Sequence, residues 1–156
     1  MSDGEAGRLW AAIEESTDRI IGALDDLDAD ELNWRPAGEE TNSLFVLATH
    51  MLGALDETLL GVLCGLPYER DRDSEFVASD ATADAPVARW IELRPRIAEE
   101  LVALSDDELG EPREHPRRGA TTGRALLLFT VQHTAEHAAH AELTRQLIEA
   151  RRSPSP

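Results

Sequence analysis

Val131-Gln132-His133-Thr134-Ala135-Glu136-His137 places two histidines four residues apart inside residues 121–150, the longest stretch with helical periodicity in the chain. On an α-helix such a pair lies about 40° apart around the axis and one turn apart along it. The two imidazoles can therefore converge on one ion. A third histidine, His50, sits in Leu44-Phe45-Val46-Leu47-Ala48-Thr49-His50-Met51-Leu52, a stretch apolar on most sides and thus a central helix. A lone histidine on such a face is usually a core residue with satisfied nitrogens. Three imidazoles from two facing helices instead make a tripod, the ligand set of an open metal site. The chain has only five histidines, so three in Leu-, Ala- and Val-rich segments require a reason.

Working outward, apolar positions at Leu9, Trp10, Ile13, Ile20, Ile21, Leu24 and Leu27 recur in steps that predict an amphipathic helix over residues 3–27. Ser2 and Glu5 have capping-box spacing. Asp28 to Asn33 reads as one helical turn, followed by a loop anchored by Trp34. A second helix over 42–65 is capped by Asn42 or Ser43 and ended by Gly65-Leu66-Pro67. Residues 68–83 read as a surface connection. A third helix spans 84–104, with Asp84 as cap, Pro86 in the first turn and Pro95 expected to kink or split it. Residues 105–120 are polar loop. The fourth helix, 121–150, is capped by Thr121 or Thr122. No strand alternation and no repeat stands out. These four helices make the chain all-α, a four-helix bundle in one domain, 1–150, with 151–156 a disordered tail.

The net charge of −16 repels phosphate backbones and anionic lipid, so neither nucleic acid nor membrane is an expected partner. The chain is 42% hydrophobic and only 4% aromatic, as expected of an aliphatic core. The single cysteine, Cys64, cannot form an internal disulfide and fits a reducing, cytoplasmic setting. It lies about 21 Å along the helix from His50, too far to share its ion. No basic-then-apolar leader and no run of 18 apolar residues is present.

Other groups lie near the same centre. His140, three residues beyond His137, could be a fourth ligand, a base or an exposed residue. Side chains lean toward a helix N-terminus, so it points toward the His137 level. It is therefore expected to line the pocket as the catalytic base and not as a ligand. Glu136 could orient an imidazole or be a solvated charge, and Glu57 could face the pocket mouth or water. His115 is in a loop and is given no role. Trp10, Trp34 and Trp90 read as packing residues.

At these residues the sequence resembles the DinB-like superfamily, which includes mycothiol-dependent maleylpyruvate isomerases and related metalloenzymes. The shared features are the opening amphipathic helix and the loop Leu27-Asp28-Ala29-Asp30-Glu31-Leu32-Asn33-Trp34-Arg35-Pro36. They continue with the Ser43-led helix containing His50, then the His133/His137 pair. The resemblance implies an up-and-down four-helix bundle with a divalent metal on His50, His133 and His137, and a frequent homodimer. Many relatives follow the second histidine of the pair with Arg-Gly-Gln or similar, where this chain has Ala138-Ala139-His140.

Two classes of function follow. One is a divalent-metal-dependent enzyme acting on a small molecule. The resemblance makes it a transferase or isomerase using a low-molecular-weight thiol such as mycothiol or bacillithiol, with metal-dependent hydrolysis as the alternative chemistry. The other is a non-catalytic stress-response protein that binds metal or a small ligand. Imidazoles suit zinc, nickel, iron and manganese alike.

Overall fold

The computed structural model describes residues 4–152. It is predominantly helical, and each long helix follows from the spacing of its buried residues. Helix α1, Glu5–Gly22, buries Trp10, Ile13, Thr17 and Ile20 on one stripe. It stops short of the expected residue 27 because the chain turns through Asp26, whose φ is +55°. Ser2, the expected capping partner of Glu5, lies outside the described residues. The short helix α2, Ala29–Leu32, is closed by a capping box between Asp28 and Glu31.

Helix α3, Leu44–Leu55, starts where Ser43 Oγ accepts from the Val46 N–H at 3.1 Å. Every residue in it except Thr49 is buried, as an all-round apolar helix demands. By length and composition the segment containing it could cross a membrane, but it is mostly buried inside the protein. After Leu55 the backbone widens into π-helical turns, Asp56–Leu63, ending at Gly65 with φ +73°. A π segment adds a residue per turn and resets which side chains face inward. Here it buries both Glu57 and Thr58, each 4% exposed.

The following connection is more than surface. It forms helix α4, Arg72–Glu75, and carries the buried Glu75 inward. Helix α5, Asp84–Ala103, has Ala83 at its N-cap and Asp84 in its first turn. It runs through Pro95 unsplit: Pro95 and Ile91 both face solvent, so water can serve the Ile91 carbonyl left without a donor. Residues expected to be plain loop contain an antiparallel hairpin, β1 Pro112–His115 and β2 Gly119–Thr122. Pro116 presets its turn, and Gly119 takes φ +69°. Four residues per strand are too few to display alternation. Helix α6, Gly123–Arg152, is capped by Thr122 Oγ1, which accepts from the Ala125 N–H. It holds Arg151 and Arg152, expected to be tail, because the Arg152 guanidinium pairs with Glu31.

The long helices pack together, α1 against α6 and α5, and α3 against both α5 and α6. Trp10 and Trp90 meet in the core with ring centroids 6.1 Å apart. Two further contacts matter for the site. Helix α4 packs on α3, and β1 packs on the π turns.

Candidate metal centre

The α3–α6 contact brings His50 to His133 and His137. Ring centroids are 5.5 Å apart for His50–His133, 5.2 Å for His50–His137 and 4.7 Å for His133–His137. One nitrogen from each ring lies within 4.8 Å of the others. The expected tripod is thus assembled in space.

The chemistry of the donor set fits a cation. Burial first, then the neighbouring His137 and His50, pushes His133 down to about 3. Burial first, then His50 and His140, pushes His137 down to about 4. Both are neutral imidazoles at pH 7, the form that ligates metal. Their Nε2 atoms are 3.0 Å apart, close enough to share one proton or one ion. The buried Nδ1 of His137 has no hydrogen-bond partner among the described residues.

His50 is oriented from behind. Its Nδ1 lies 3.0 Å from Glu75 Oε2. Arg70 Nη2 lies 3.4 Å from the same nitrogen, but a guanidinium only donates. The closer carboxylate therefore sets the tautomer: Nδ1–H donates to Glu75, and Nε2 keeps its lone pair for the cavity. A carboxylate behind a ligating histidine fixes the ring and raises its basicity. Burial alone would raise the Glu75 carboxyl, but hydrogen bonds from Arg70 and His50 outweigh it and hold it below the usual carboxylate value. Arg70 grips Glu75 through Nε at 2.6 Å and Nη2 at 2.8 Å, and reaches Glu57 through Nη1 at 3.1 Å. Gly53 makes this possible, because a Cβ there would collide with the Glu75 carboxylate.

Glu57 faces this network and not water. It also contacts Arg117 and lies 3.7 Å from His115 Nε2. His115, given no role from sequence, is buried at the end of β1. Its Nδ1 accepts from the Arg117 backbone N–H at 3.2 Å, so the proton sits on Nε2, 3.4 Å from Thr58 Oγ1. Burial, then Arg118 and Arg70, lowers its pKa. A cavity of about 210 Å³ joins His115 to His50 and His133, with Thr58 and Phe129 in its wall. A larger hollow of about 840 Å³, between Tyr68 and Arg89, is lined by neither histidine nor cysteine.

His140 is placed elsewhere. It is exposed, its ring is 5.7 Å from that of His137, and it lines a separate cavity of about 310 Å³ with Leu47, Leu143 and Leu147. Glu136 is exposed and accepts from Gln132 Nε2. Cys64 is outside the histidine group, and burial pushes its thiol up to about 11. Sequence reasoning missed Arg70, Glu75 and the hairpin residues His115, Arg117 and Arg118.

The chain has relatives of known structure. The DinB superfamily model matches residues 12–141. A DinB-like protein from Bacillus cereus ATCC 10987 is similar in fold, with TM-score 0.69 and 16% identity over 89% of each chain. A conserved protein from Enterococcus faecalis gives TM-score 0.73 at 13% identity, covering 96% of this chain and 99% of that one. No curated protein matches. The family match takes in two of the helices that meet at the three histidines and the hairpin beside them, and the chain belongs to the DinB superfamily.

Proposed function

We propose that the protein is a divalent-metal-dependent enzyme in which His50, His133 and His137 hold the ion. The carrying observation is one nitrogen from each of three imidazoles within 4.8 Å, beside an open polar cavity. When bound, the ion supplies a Lewis acid that lowers the pKa of an entering thiol or water. The protein's own groups do the rest. Glu75 holds His50 in one tautomer, and Arg70 neutralises Glu75. His115 lines the cavity, and its Nε2–H can donate a hydrogen bond to a substrate oxygen there.

The family favours a low-molecular-weight thiol, such as mycothiol or bacillithiol, as cosubstrate for transfer to a small molecule or for its isomerisation. Hydrolysis is the second reading, favoured by the polar wall of Thr58 and His115, which would suit a water nucleophile as well. The reading includes an up-and-down arrangement of the four long helices and a cytoplasmic location. It also includes a homodimer, supported by the exposed Leu128, Leu143 and Leu147 on α6. Light scattering at micromolar concentration tests the dimer, and a clean 17.1 kDa mass refutes it.

Elemental analysis after dialysis tests the metal: wild type retains a divalent ion and each single His→Ala variant loses it. Cobalt-substituted protein then separates the chemistries. A near-ultraviolet charge-transfer band on adding N-acetylcysteine supports thiol activation; its absence favours hydrolysis. Wild-type metal content in all three variants would overturn the site.

A further inference from the structure

All fifteen basic residues of this acidic chain are arginines, and four of them, Arg70, Arg72, Arg117 and Arg118, line the one small cavity beside the histidines. Two are already matched. Glu75 and Glu57 take Arg70, and Glu57 also takes Arg117, so two carboxylates offset two guanidiniums. Arg72 and Arg118 make no ion pair among the described residues.

What they make instead is a stack. The Arg72 guanidinium lies 4.8 Å over the Phe76 ring, and Phe76 is itself 4.8 Å from the His50 ring. The Arg118 guanidinium lies 3.4 Å over Phe129, and Phe129 is stacked 5.2 Å from the His133 ring. The two arms therefore flank the histidine site in matching order: guanidinium, phenyl ring, imidazole. Stacking fixes each planar fork without using its N–H donors, which remain free for an acceptor. On a protein of charge −16, keeping two unpaired cations at one cavity mouth makes little sense for solubility and good sense for attracting an anion. At about 210 Å³ the cavity is below the usual range for drug-sized ligands, so the anion is small.

We propose that this cavity binds a small-molecule substrate through an oxyanion group, carboxylate or phosphate, clamped between the Phe76-stacked Arg72 and the Phe129-stacked Arg118. The proposal rests on the three histidines being a reactive metal site, since it places the substrate beside them. Its clamp is made by the arginines and is tested separately from the metal.

The test is isothermal titration of metal-loaded and metal-free protein with succinate, inorganic phosphate and neutral succinamide. One anion binds and succinamide does not; succinate identifies a carboxylate group and phosphate a phosphoryl group. The exposed positions make R72Q, R118Q and the double variant tolerable to the fold, which circular dichroism checks. Each single variant weakens binding about fivefold and the double variant tenfold or more, with metal content unchanged. Arg→Lys recovers only part of the loss, because a point charge lacks the fork. Equal binding by wild type and R72Q/R118Q overturns the proposal and leaves the ion alone as the anion site. Binding of neither anion to protein that carries metal also overturns it, while the metal reading stands. Arginine-dependent anion binding in a protein that takes up no metal supports the clamp and refutes the metal reading.

Discussion

Arg70 and Arg19 sit at nearly the same distance from a carboxylate. Arg70 is 2.6 Å from Glu75 and Arg19 is 2.7 Å from Glu142. The side chains of the first pair are 5% and 7% exposed, those of the second 43% each. Equal geometry does not mean equal consequence. The surface pair exchanges one solvated state for another and is screened by salt. The buried pair has given up its water, so neither member can be removed without stranding the other. A buried pair is nonetheless weak evidence for stability, because well-packed apolar residues could replace it at no loss. What apolar residues could not do is accept a hydrogen bond from the His50 Nδ1–H. The network beneath α3 is therefore best understood as a holder for one imidazole.

The largest expected effect comes from breaking the buried pair on one side. Glu75→Ala leaves the Arg70 guanidinium buried with only the shared Glu57 and frees the His50 ring. Loss of one partner of a buried pair costs about 3–5 kcal/mol, and loss of a carboxylate behind a ligating histidine weakens metal binding about 10–100-fold. Urea unfolding and metal titration measure the two effects separately. If stability falls and metal affinity does not, Glu75 is a structural counter-ion only.

A smaller effect is expected from Gly53→Ala, which leaves every charge in place. The added methyl displaces the Glu75 carboxylate, since there is no space for a Cβ between α3 and that side chain. Overpacking of this kind costs about 1–3 kcal/mol. Metal affinity should fall with it. A variant that loses stability but keeps full affinity would show that His50 does not depend on the position of Glu75.

His140→Gln should change neither stability nor metal content, because the ring is exposed and lines a different cavity. Metal loss in this variant would make His140 a fourth ligand and favour a closed, structural ion. The same residue marks where the sequence stops being legible. His50, His133 and His137 could be read because helical period reports which positions share a face. His140 shares that face too, but it is about 10 Å along the axis from His133. At that level α6 meets Pro36, Thr41 and Leu47, not His50. Axial level depends on how far one helix slides along another, and period says nothing about it. Arg70 and Glu75 were illegible for a related reason. Each is polar in a polar stretch, and each is buried only because it meets the other and His50, 20 and 25 residues earlier in the chain. His115 and Arg118 depend on a hairpin too short to alternate. The long helices and the His133/His137 pair were thus local facts, while the meeting of His50 with that pair, and the residues that orient and surround the three, are pairwise ones.

The smallest effect belongs to the surface pair, and its pH dependence gives the comparison its sharpest form. Arg19→Ala should shift the urea midpoint at pH 7 little or not at all, and less still in high salt. Whatever contribution exists has a defined sign. The hydrogen bond from Arg19 holds the Glu142 carboxyl below its usual value. A group whose folded pKa is depressed stabilises the protein above its unfolded pKa, about 4.3 for glutamate, and the contribution disappears as pH falls through the lower folded value. The difference between wild type and Arg19→Ala should accordingly be largest at neutral pH and vanish in acid. Denaturation curves of both proteins from pH 7 downward check this. A difference that persists after Glu142 is protonated would mean that Arg19 acts through the packing of its methylene stem between α1 and α6 and not through its charge.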